Sequence, residues 1–294
     1  MLAKDMKESK IKRAFVSPFR GVVKAISPTL YVKAEYKYIT KHKLDLKDPK
    51  RYTEKLQVLR LFEYPKNPLV ARCASRDGVR EYLKELKLEK YLIPSLGVFD
   101  SFDEIDFEKL PDQFVMKCTH ACAYNLIVKN KKELDKKEAK KKFDKWLKTD
   151  YGKKTVERHY SNIKPRILIE EYLGETPLEY KIHVFNGKAK YMYVVSERGK
   201  DIHYNNYYID WKPFDGAQFN GWKTSKKEIK KPSNWNEMVK LAETLSSKFP
   251  FVRVDLYNIN GKIYFGEMTF TPAKGTLRFD DDKADFEIGE WLKI

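Results

Sequence analysis

The sequence has little cysteine and no long apolar run. Its three cysteines are Cys73, Cys118 and Cys122. An odd and low count argues against a scaffold of disulfides and favours a reducing compartment. No stretch approaches the roughly 18 apolar residues that a membrane-spanning helix needs, and residues 1–15 lack the apolar segment of a signal peptide. We therefore expect the protein to stay in the cytoplasm.

The chain also lacks internal repeats and linkers rich in glycine or serine. The pattern Cys118-Thr-His120-Ala-Cys122 suggests a metal site at first sight. Zinc sites normally need a second pair of ligands at finger spacing, and the sequence has none, so we predict no zinc site. With 42% hydrophobic residues, the 294 residues suffice for a packed core in one large or two ordinary domains.

What the sequence has in excess is positive charge, with a formal net charge of +17. Residues 1–60 alone contain 16 Lys and Arg against 6 Asp and Glu. Such a region attracts polyanions, and nucleic acid, anionic lipid headgroups and acidic sugars are the candidates. It is also the composition of an ordinary, solvated Lys-rich surface. A basic protein that binds nucleic acid or another polyanion without catalysis is one alternative, but no nucleic-acid fold signature supports it, and we expect no nucleic-acid partner.

Residues 19–38 mix aromatic residues with lysines. This mixture is compatible with an interfacial contact to a membrane, and equally with a helix that packs on its own domain. Pro28 interrupts any long amphipathic helix and favours the second interpretation. Any membrane association is therefore expected to be peripheral, at the inner face of the cell membrane.

The first half of the chain predicts basic helices followed by strands. Residues 1–64 are typical of basic helices with breaks at proline. Residues 75–90 predict a helix capped by Ser75, because apolar residues recur there at helical spacing. Compact apolar runs at 114–116 and at 124–130 predict two strands.

The second half predicts a mixture of strands and two further helices. Residues 131–148 predict a lysine-rich surface helix, and 236–249 an amphipathic one. Residues 166–173 predict an apolar strand that ends in acids. Asn-Gly pairs at 186–187 and 260–261 lie between alternating segments, which is a strong signal for two β-hairpins.

The second of these hairpins carries the most informative set of polar residues. Arg253 and Asp255 are two apart on one arm, and Glu267 and Thr269 are two apart on the other. Because side chains alternate across a strand, each pair shares a face, and pairing about the turn can bring both acids together. Two carboxylates and a hydroxyl suit Mg²⁺, and a neighbouring arginine suits a transferring phosphoryl group. An ordinary charged face of an antiparallel sheet is the plainer alternative.

Two more segments suggest a nucleotide site. Lys117 ends a buried apolar strand, where a lysine is costly unless it meets a counter-charge such as a phosphate. The strand at 166–173 can offer backbone groups to an adenine edge and its acids to ribose hydroxyls. An edge strand followed by a turn would look the same.

The order of these parts resembles the ATP-grasp superfamily, and more narrowly the TupA-like ATP-grasp group linked to teichuronopeptide and capsular polysaccharide assembly. The similarity covers roughly residues 65–290. It is more specific than one motif because several long blocks occur in the correct order. These blocks are YLIPSLGVFDSFDEIDFEKLP, FVMKCTHACAYNLIVKNK, PRILIEEYL, EYKIHVFNGK and FPFVRVDLYNINGKIYFGEMTFTP.

This resemblance implies an α+β ATP-grasp fold, in which two α+β lobes with antiparallel sheets grip ATP. A basic helical N-terminal region over 1–64 and an intervening segment over 65–110 would precede the ATP-grasp domain. Within that domain the small lobe would cover about 111–173 and the large lobe about 174–294.

The resemblance also implies ATP and Mg²⁺ as cofactors and assigns roles to single residues. Phosphates would be bound by Lys117, Lys181 and Arg76, and ribose by Glu179. The adenine hinge would consist of Glu171, Tyr172 and Leu173. Magnesium would be held by Asp255, Glu267 and Thr269. Arg253 would stabilise the acyl-phosphate transition state, with Lys181 beside it.

The chain departs from the family pattern in two loops. The connection at 119–123 reads Thr-His-Ala-Cys-Ala where the family has a glycine-rich loop. Glycines let backbone N–H groups approach phosphates and permit positive φ, and the alanines here fit if φ is negative. His120 lies in this loop and is the one histidine that we regard as a catalytic candidate. The ending TFTPAKG is likewise poorer in glycine.

We therefore predict an ATP-grasp ligase that forms a carbon–nitrogen bond through an acyl phosphate. Its substrates would be a small amine or amino acid and an acidic glycan, or the nucleotide- or lipid-linked precursor of that glycan. The carboxylate would belong to a uronic acid, or the amine to an amino sugar, in a bacterial surface polysaccharide. The enzymatic alternative is an ATP-grasp kinase that phosphorylates a sugar hydroxyl.

Overall fold

The computed structural model of the chain describes residues 21–174, 177–197 and 201–294, and has two antiparallel sheets with helices around them. The strands are β1 (Ser95–Phe99), β2 (Phe114–Cys118), β3 (Asn125–Val128), β4 (Ile167–Glu171), β5 (Glu179–Phe185), β6 (Lys188–Ser196), β7 (His203–Tyr208), β8 (Phe251–Ile259) and β9 (Lys262–Thr269). The α-helices are α1 (Pro28–Thr40), α2 (Tyr52–Val58), α3 (Pro68–Ala74), α4 (Gly78–Glu85), α5 (Lys136–Leu147), α6 (Tyr151–Thr155), α7 (Trp235–Ser246) and α8 (Asp282–Trp291). The predicted α+β class is confirmed.

The smaller sheet has the strand order β1-β4-β2-β3. One of its faces is packed against helices, and the other is open. Along β2, Phe114, Met116 and Cys118 are buried, whereas Lys117 is only half-buried. The packed face is covered by α5, whose Phe143 is fully buried in the same core. Because side chains alternate along a strand, Lys117 points to the open face.

The larger sheet has the order β7-β6-β5-β8-β9 and contains both predicted hairpins. Asn186 and Gly187 have φ values of 46° and 79°, and Asn260 and Gly261 have 51° and 80°. Positive φ at both turn residues is the geometry for which Asn-Gly is favoured, because it matches the twist of the strands. Helix α7 packs on this sheet and buries Leu241 in its core.

The chain between residues 21 and 64 forms a helical stretch at 21–26, then α1, α2 and a short π-helical extension of α2. Helix α2 belongs to the core of the larger sheet, where Tyr52 and Leu56 are fully buried. The helical region predicted over 1–64 is seen only in part, since residues 1–20 lie outside the described residues. The predicted domain boundaries stay a prediction. In the described residues, every helix is too short or too polar to cross a membrane.

Helix α4 is shorter than the predicted helix over 75–90, and its cap is different. It begins at Gly78, whose N–H donates to Asp77 Oδ1 at 2.9 Å. Asp77 is therefore the N-cap residue, and the same N–H also donates to Oγ of the predicted cap, Ser75, at 3.4 Å. The helix stops before Lys87, which has a φ of 58° and so leaves the helical conformation.

The helix predicted over 131–148 also begins later, at Lys136. Asp135 caps it by accepting a hydrogen bond from the N–H of Glu138 at 2.9 Å. The capping carboxylate fixes the start of the helix, and the preceding residues form a separate 3-10 turn.

Candidate active site

The β8–β9 hairpin carries a cluster of charged side chains on one face. In its ladder Asp255 lies opposite Glu267, and Arg253 lies opposite Thr269. Residues directly opposite in an antiparallel ladder project to the same face. The prediction that the two acids share a face is confirmed.

This register depends on a β-bulge at Gly266. Leu256 lies opposite Phe265, whereas Asp255 lies opposite Glu267, so one residue of β9 is extra. In a regular ladder continued from Leu256 and Phe265, Asp255 would lie opposite Gly266 and Val254 opposite Glu267, so Glu267 would project to the core face. The bulge therefore places both carboxylates on the open face.

Arg253 connects the members of this cluster. Its Nε and Nη2 donate to the two carboxylate oxygens of Asp255 at 2.6 and 2.7 Å. Nη2 also lies 3.0 Å from Thr269 Oγ1 and 3.4 Å from Glu267 Oε1. Nη1 donates to the hydroxyl of Tyr193 at 3.1 Å. The arginine is buried, and its planar group fixes the relative positions of both acids.

Two further cations complete the cluster from other elements. Lys181 lies opposite Asp255 in the β5–β8 ladder, and its Nζ forms an ion pair with that carboxylate. The same Nζ lies 3.1 Å from Glu179 Oε2. Arg76, just before α4, places Nη2 3.2 Å from Glu267 Oε2. The predicted residues at 76, 179, 181, 253, 255, 267 and 269 are thus brought together.

The cations determine the charge state of Glu267. Burial alone would raise the pKa of its carboxyl, but Arg76, Lys181 and Arg253 lower that pKa well below its usual range. Burial would lower the pKa of Lys181, yet the charge of Asp255 raises it. Both residues are therefore fully ionised at neutral pH, and the site presents charged oxygen ligands beside fixed cations.

A second ion-paired group lies on the open face of the smaller sheet. Lys117 Nζ lies 2.5 Å from Glu170 Oε2, and Arg80 Nη1 lies 2.9 Å from Glu170 Oε1. Arg80 Nη2 also donates to the carbonyl of Ile93 at 2.9 Å. Sequence reasoning placed Lys117 here but missed Glu170 and Arg80. The register places Lys117 opposite Leu168, so Glu170, and not Glu171, shares a face with Lys117.

A small cavity joins the two ion-paired groups. It lies between the two sheets and continues from the small-lobe group to the bulge of β9. Its walls are formed by Arg76, Val79, Arg80, Leu92, Lys117, Leu168, Glu170, Phe265 and Gly266. Arg76 and Arg80 are four apart along the chain, so the start of α4 supplies a cation to each group.

The predicted adenine hinge lies where β4 ends. Glu171 is exposed, while Tyr172 and Leu173 are half-buried. The N–H of Glu171 donates to the carbonyl of Pro94 at 3.1 Å. In the described residues these three side chains are not joined to the ion-paired groups, and their role at adenine remains a prediction.

The side chain of His120 points away from the charged cluster. Its Nε2 lies 3.2 Å from the carbonyl oxygens of both Trp146 and Thr149. Burial lowers the pKa of the ring, which is therefore neutral at physiological pH. The structure thus does not bring His120 together with the other predicted site residues.

The connection at 119–123 is anchored within the fold. The sulfur of Cys122 lies 3.2 Å from the Tyr160 hydroxyl, and the N–H of Arg76 donates to the carbonyl of Thr119 at 3.1 Å. Ala123 has a φ of 61°, so the condition of negative φ, under which alanines would fit easily, is not met there. The loop adopts a glycine-like conformation without a glycine, which packing of its neighbours must stabilise.

The segment after β9 shows the same feature. Ala273 and Lys274 have φ values of 46° and 58°. The carbonyl of Lys274 accepts hydrogen bonds from Gln57 Nε2 at 2.8 Å and from Arg60 Nη1 at 2.9 Å. Contacts from α2 and the turn after it hold this segment in a conformation that glycines would adopt more easily.

The arrangement fits a magnesium nucleotide chemically. Asp255, Glu267 and Thr269 offer hard oxygen ligands, and Mg²⁺ usually takes only one or two protein carboxylates together with phosphate oxygens and water. Five cations face four acids across the two groups, so a polyanion would find surplus positive charge. The cations are Arg76, Arg80, Lys117, Lys181 and Arg253, and the acids are Glu170, Glu179, Asp255 and Glu267.

Two lobes with antiparallel sheets, facing each other across a charged cleft, define the ATP-grasp fold. The chain belongs to the TupA-like ATP-grasp family, whose family model matches residues 54–293. The predicted family is confirmed, and the match begins before the start that the resemblance indicated. The predicted enzyme class, an ATP-grasp ligase, agrees with this family.

The chain is also similar to solved ligase structures. D-Alanine–D-alanine ligase from Bacillus anthracis, complexed with ATP, has 16% identity and a TM-score of 0.39, over 68% of this chain and 54% of that one. The L-amino acid ligase of Bacillus licheniformis has 12% identity and a TM-score of 0.46, over 76% and 55%. D-Alanine–D-alanine ligase from Helicobacter pylori has 18% identity and a TM-score of 0.40, over 83% and 70%.

The first two of these matches span little more than half of the ligase chains. No curated protein has a matching sequence.

Proposed function

We propose that the protein is an ATP-dependent ligase that joins a carboxylate to an amine. A carboxylate oxygen attacks the γ-phosphorus of ATP, ADP leaves, and an acyl phosphate forms. The amine nitrogen then attacks the carbonyl carbon, the bond to the phosphate oxygen breaks, and the amine loses a proton as the amide forms. Such a reaction needs positioned reactants and neutralised charge more than a protein nucleophile.

The observation that carries this proposal is the ion-paired cluster on the β8–β9 hairpin. Asp255, Glu267 and Thr269 would hold Mg²⁺, which supplies charge neutralisation between the nucleotide phosphates. Arg253 would stabilise charge on the transferring phosphoryl group, and its bonds to both acids keep it in place. Lys181 adds a cation on the same face.

The other lobe would hold the remainder of the nucleotide. Lys117 and Arg76 would bind phosphates, and Glu179 would lie near the ribose. The backbone of Glu171, Tyr172 and Leu173 would line the adenine. Lys117 forms an ion pair with Glu170 in the structure, and it would contact both Glu170 and a bound triphosphate.

We propose further that the substrates come from bacterial surface polysaccharide synthesis. The carboxylate would be that of a uronic acid, or the amine that of an amino sugar, in an acidic glycan or its nucleotide- or lipid-linked precursor. The second reactant would be a small amine or amino acid. The net charge of +17 supports an acidic partner, because a basic surface raises the local concentration of anions. Peripheral contact with the inner face of the membrane belongs to the same proposal.

The test is Mg-ATP turnover against a panel of uronic acids and amines. We expect ADP release that requires both reactants, and an amide product by mass spectrometry. Glu267→Gln should lower kcat by a hundredfold or more, since it removes a metal ligand and a charge. ADP release without an amine, together with a phosphorylated sugar, would instead identify a kinase. Normal turnover by the Glu267→Gln variant would refute the metal assignment.

A further inference from the structure

The first helical part of the described chain presents a surface that is both apolar and basic. Between residues 21 and 41, four apolar or aromatic side chains are largely exposed, namely Val22, Ile26, Leu30 and Tyr38 at 54, 80, 60 and 69%. Lys33, Lys37 and Lys41 are exposed beside them. We call these seven side chains the outer surface. Large apolar side chains grouped in this way usually mark an interaction site.

Val22 and Ile26 lie in helical residues 21–26, which end before Ser27, whereas Leu30, Lys33, Lys37 and Tyr38 lie on α1. The inner face of α1 is firmly packed. Val32 and Tyr36 are fully buried. The hydroxyl of Tyr36 shares a hydrogen bond of 2.7 Å with Thr53 Oγ1, next to the core residue Tyr52. Helix α1 is therefore fixed on the protein, and its share of the outer surface is held outward by that packing.

Acidic side chains are absent from the outer surface. Glu35 is the only acid between residues 21 and 41 of the sequence. It lies on the inner side, where its Oε2 accepts from Arg60 Nη2 at 3.2 Å and its Oε1 lies 3.7 Å from Lys274 Nζ. The outer surface therefore combines apolar side chains with positive charge alone.

We propose that the outer surface binds an anionic lipid bilayer. A helix that exposes apolar side chains among lysines lies in the interface of such a bilayer, with the apolar groups below the headgroups and the lysines among the phosphates. Pro28 does not prevent this, because it occupies the first turn of α1, where Ser27 is the capping residue. Residues 21–26 lead directly into this capped turn, so Val22 and Ile26 lie next to the part of the outer surface that α1 carries.

The position of the helix gives this contact a consequence for the active site. Glu35 on the inner face pairs with Lys274, in the segment that follows the metal-binding strand β9. Binding by the outer surface would hold that segment close to the bilayer. If the proposed ligase activity is correct, its glycan substrate is then one carried on a lipid.

The test is sedimentation of the full chain with vesicles, without ATP or substrate. Phosphatidylcholine vesicles with 30 mol% phosphatidylglycerol should bind the protein at 50 mM NaCl, and pure phosphatidylcholine vesicles should bind it at least tenfold more weakly. Lys33→Gln with Lys37→Gln should weaken binding by roughly 25-fold, at about fivefold for each charge. Ile26→Ser with Leu30→Ser should weaken it by about tenfold or more.

Matched variants elsewhere on the protein distinguish binding by the outer surface from attraction by the net charge of the whole protein. Lys137→Gln with Lys141→Gln removes two exposed lysines from α5, and Ile294→Ser removes an apolar side chain that is 53% exposed. Both should change vesicle binding by less than about twofold. Equal losses from the α1 and α5 lysine pairs would overturn the proposal, as would wild-type protein that stays in the supernatant.

A second measurement covers the case in which the serine variant does not fold. A polarity-sensitive fluorophore on Ile26→Cys should shift to shorter wavelength with anionic vesicles, whereas the same label on Ile294→Cys should not. An unshifted label at position 26 would contradict the proposal. Mg-ATP turnover is assayed separately in the absence of vesicles, so failure of the ligase proposal and failure of the lipid proposal are distinguishable.

Discussion

At the scale of the single residue, neighbouring acids in β4 have different environments. Glu170 is buried between Lys117 and Arg80, whereas Glu171 is exposed on the other face of the strand. The sequence shows two adjacent glutamates, and only the register with β2 tells them apart. Val115 lies opposite Glu170, two residues before Lys117, so the strand pairing was needed to identify the partner of the lysine.

We expect Glu170→Gln to lower the free energy of unfolding by about 3 kcal/mol, because it leaves two largely buried cations without their counter-charge. The same change at exposed Glu171 should cost less than about 0.5 kcal/mol. Urea unfolding of both variants measures the difference. Similar losses for the two variants would show that the ion pairs of Glu170 contribute nothing specific.

The buried carboxyl of Asp285 should make stability depend on pH. It accepts hydrogen bonds from Thr53 N at 2.9 Å and from Thr53 Oγ1 at 2.6 Å, and burial raises its pKa to about 7. Because the folded pKa exceeds the unfolded one, its stabilising contribution is complete below about pH 4 and is lost as the pH rises through about 7. Relative to wild type, Asp285→Asn should gain up to about 4 kcal/mol between these pH values.

The neighbouring Asp282 provides a control of opposite sign. A hydrogen bond from Arg51 lowers the pKa of its carboxyl. Its contribution is therefore present above the unfolded pKa and is lost as the pH falls. Urea midpoints of both asparagine variants from pH 2 to 8 make the comparison, because the contribution of Asp282 is lost below its unfolded pKa of about 4. A parallel response of the Asp285→Asn variant and wild type would contradict the role given to Asp285.

At the scale of the element, the two hairpins were predictable, but the bulge in the second was not recognised. The Asn-Gly pairs specify the turns locally, so each hairpin follows from two residues and the alternation around them. The bulge also leaves a trace in the sequence. Ile263 and Phe265 alternate toward the core, and the pattern then skips to Met268. That break at Gly266 indicates an extra residue, and it decides where Glu267 points.

The bulge requires a residue without a side chain at position 266. A Cβ there would lie 3.1 Å from the carbonyl oxygen of Asp255 and 3.2 Å from the ring of Tyr257. Gly266→Val should therefore displace β9, the strand that we propose to hold the metal, and lower kcat/KM for ATP by about tenfold or more.

Gly216→Ala serves as the control, since its Cβ would have no neighbour closer than 3.9 Å. Steady-state kinetics of both variants compare the two positions, with the ATP concentration varied and the other substrates saturating. Unchanged kinetics in the Gly266→Val variant would mean that the bulge does not position the acids.

The sequence predicted which segments form helices better than it predicted where those helices begin and end. The pattern of apolar residues over 75–90 indicated a helix, but Asp77 and Ser75 are both good capping residues. Both accept from the Gly78 N–H, at 2.9 and 3.4 Å, and only the structure shows that Asp77 makes the shorter bond. In the loops, Ala123 and Lys274 adopt positive φ although their residue types disfavour it. Contacts from distant parts of the chain impose these conformations, and local sequence carries no signal for them.

At the scale of the whole molecule, the family pattern predicted two lobes and a charged cleft. It did not show that the region before residue 65 is continuous with the large lobe. Tyr52 packs against Phe251 with ring centroids 5.3 Å apart, and Arg51 binds Asp282 through two hydrogen bonds. These contacts join positions about 200 or more residues apart, so no local sequence pattern predicts them. The described part of this region, residues 21–64, therefore packs on the part of the chain that forms the cleft.

The central claim is that this cleft activates a carboxylate as an acyl phosphate. With a carboxylate and an amine that support turnover, the direct test uses substrate labelled with ¹⁸O in its carboxyl group. The account predicts one ¹⁸O atom transferred to each phosphate released, in equal amounts with amide and ADP, and no transfer by the Glu267→Gln variant. Released phosphate without ¹⁸O, or label retained in a phosphorylated sugar, would contradict it.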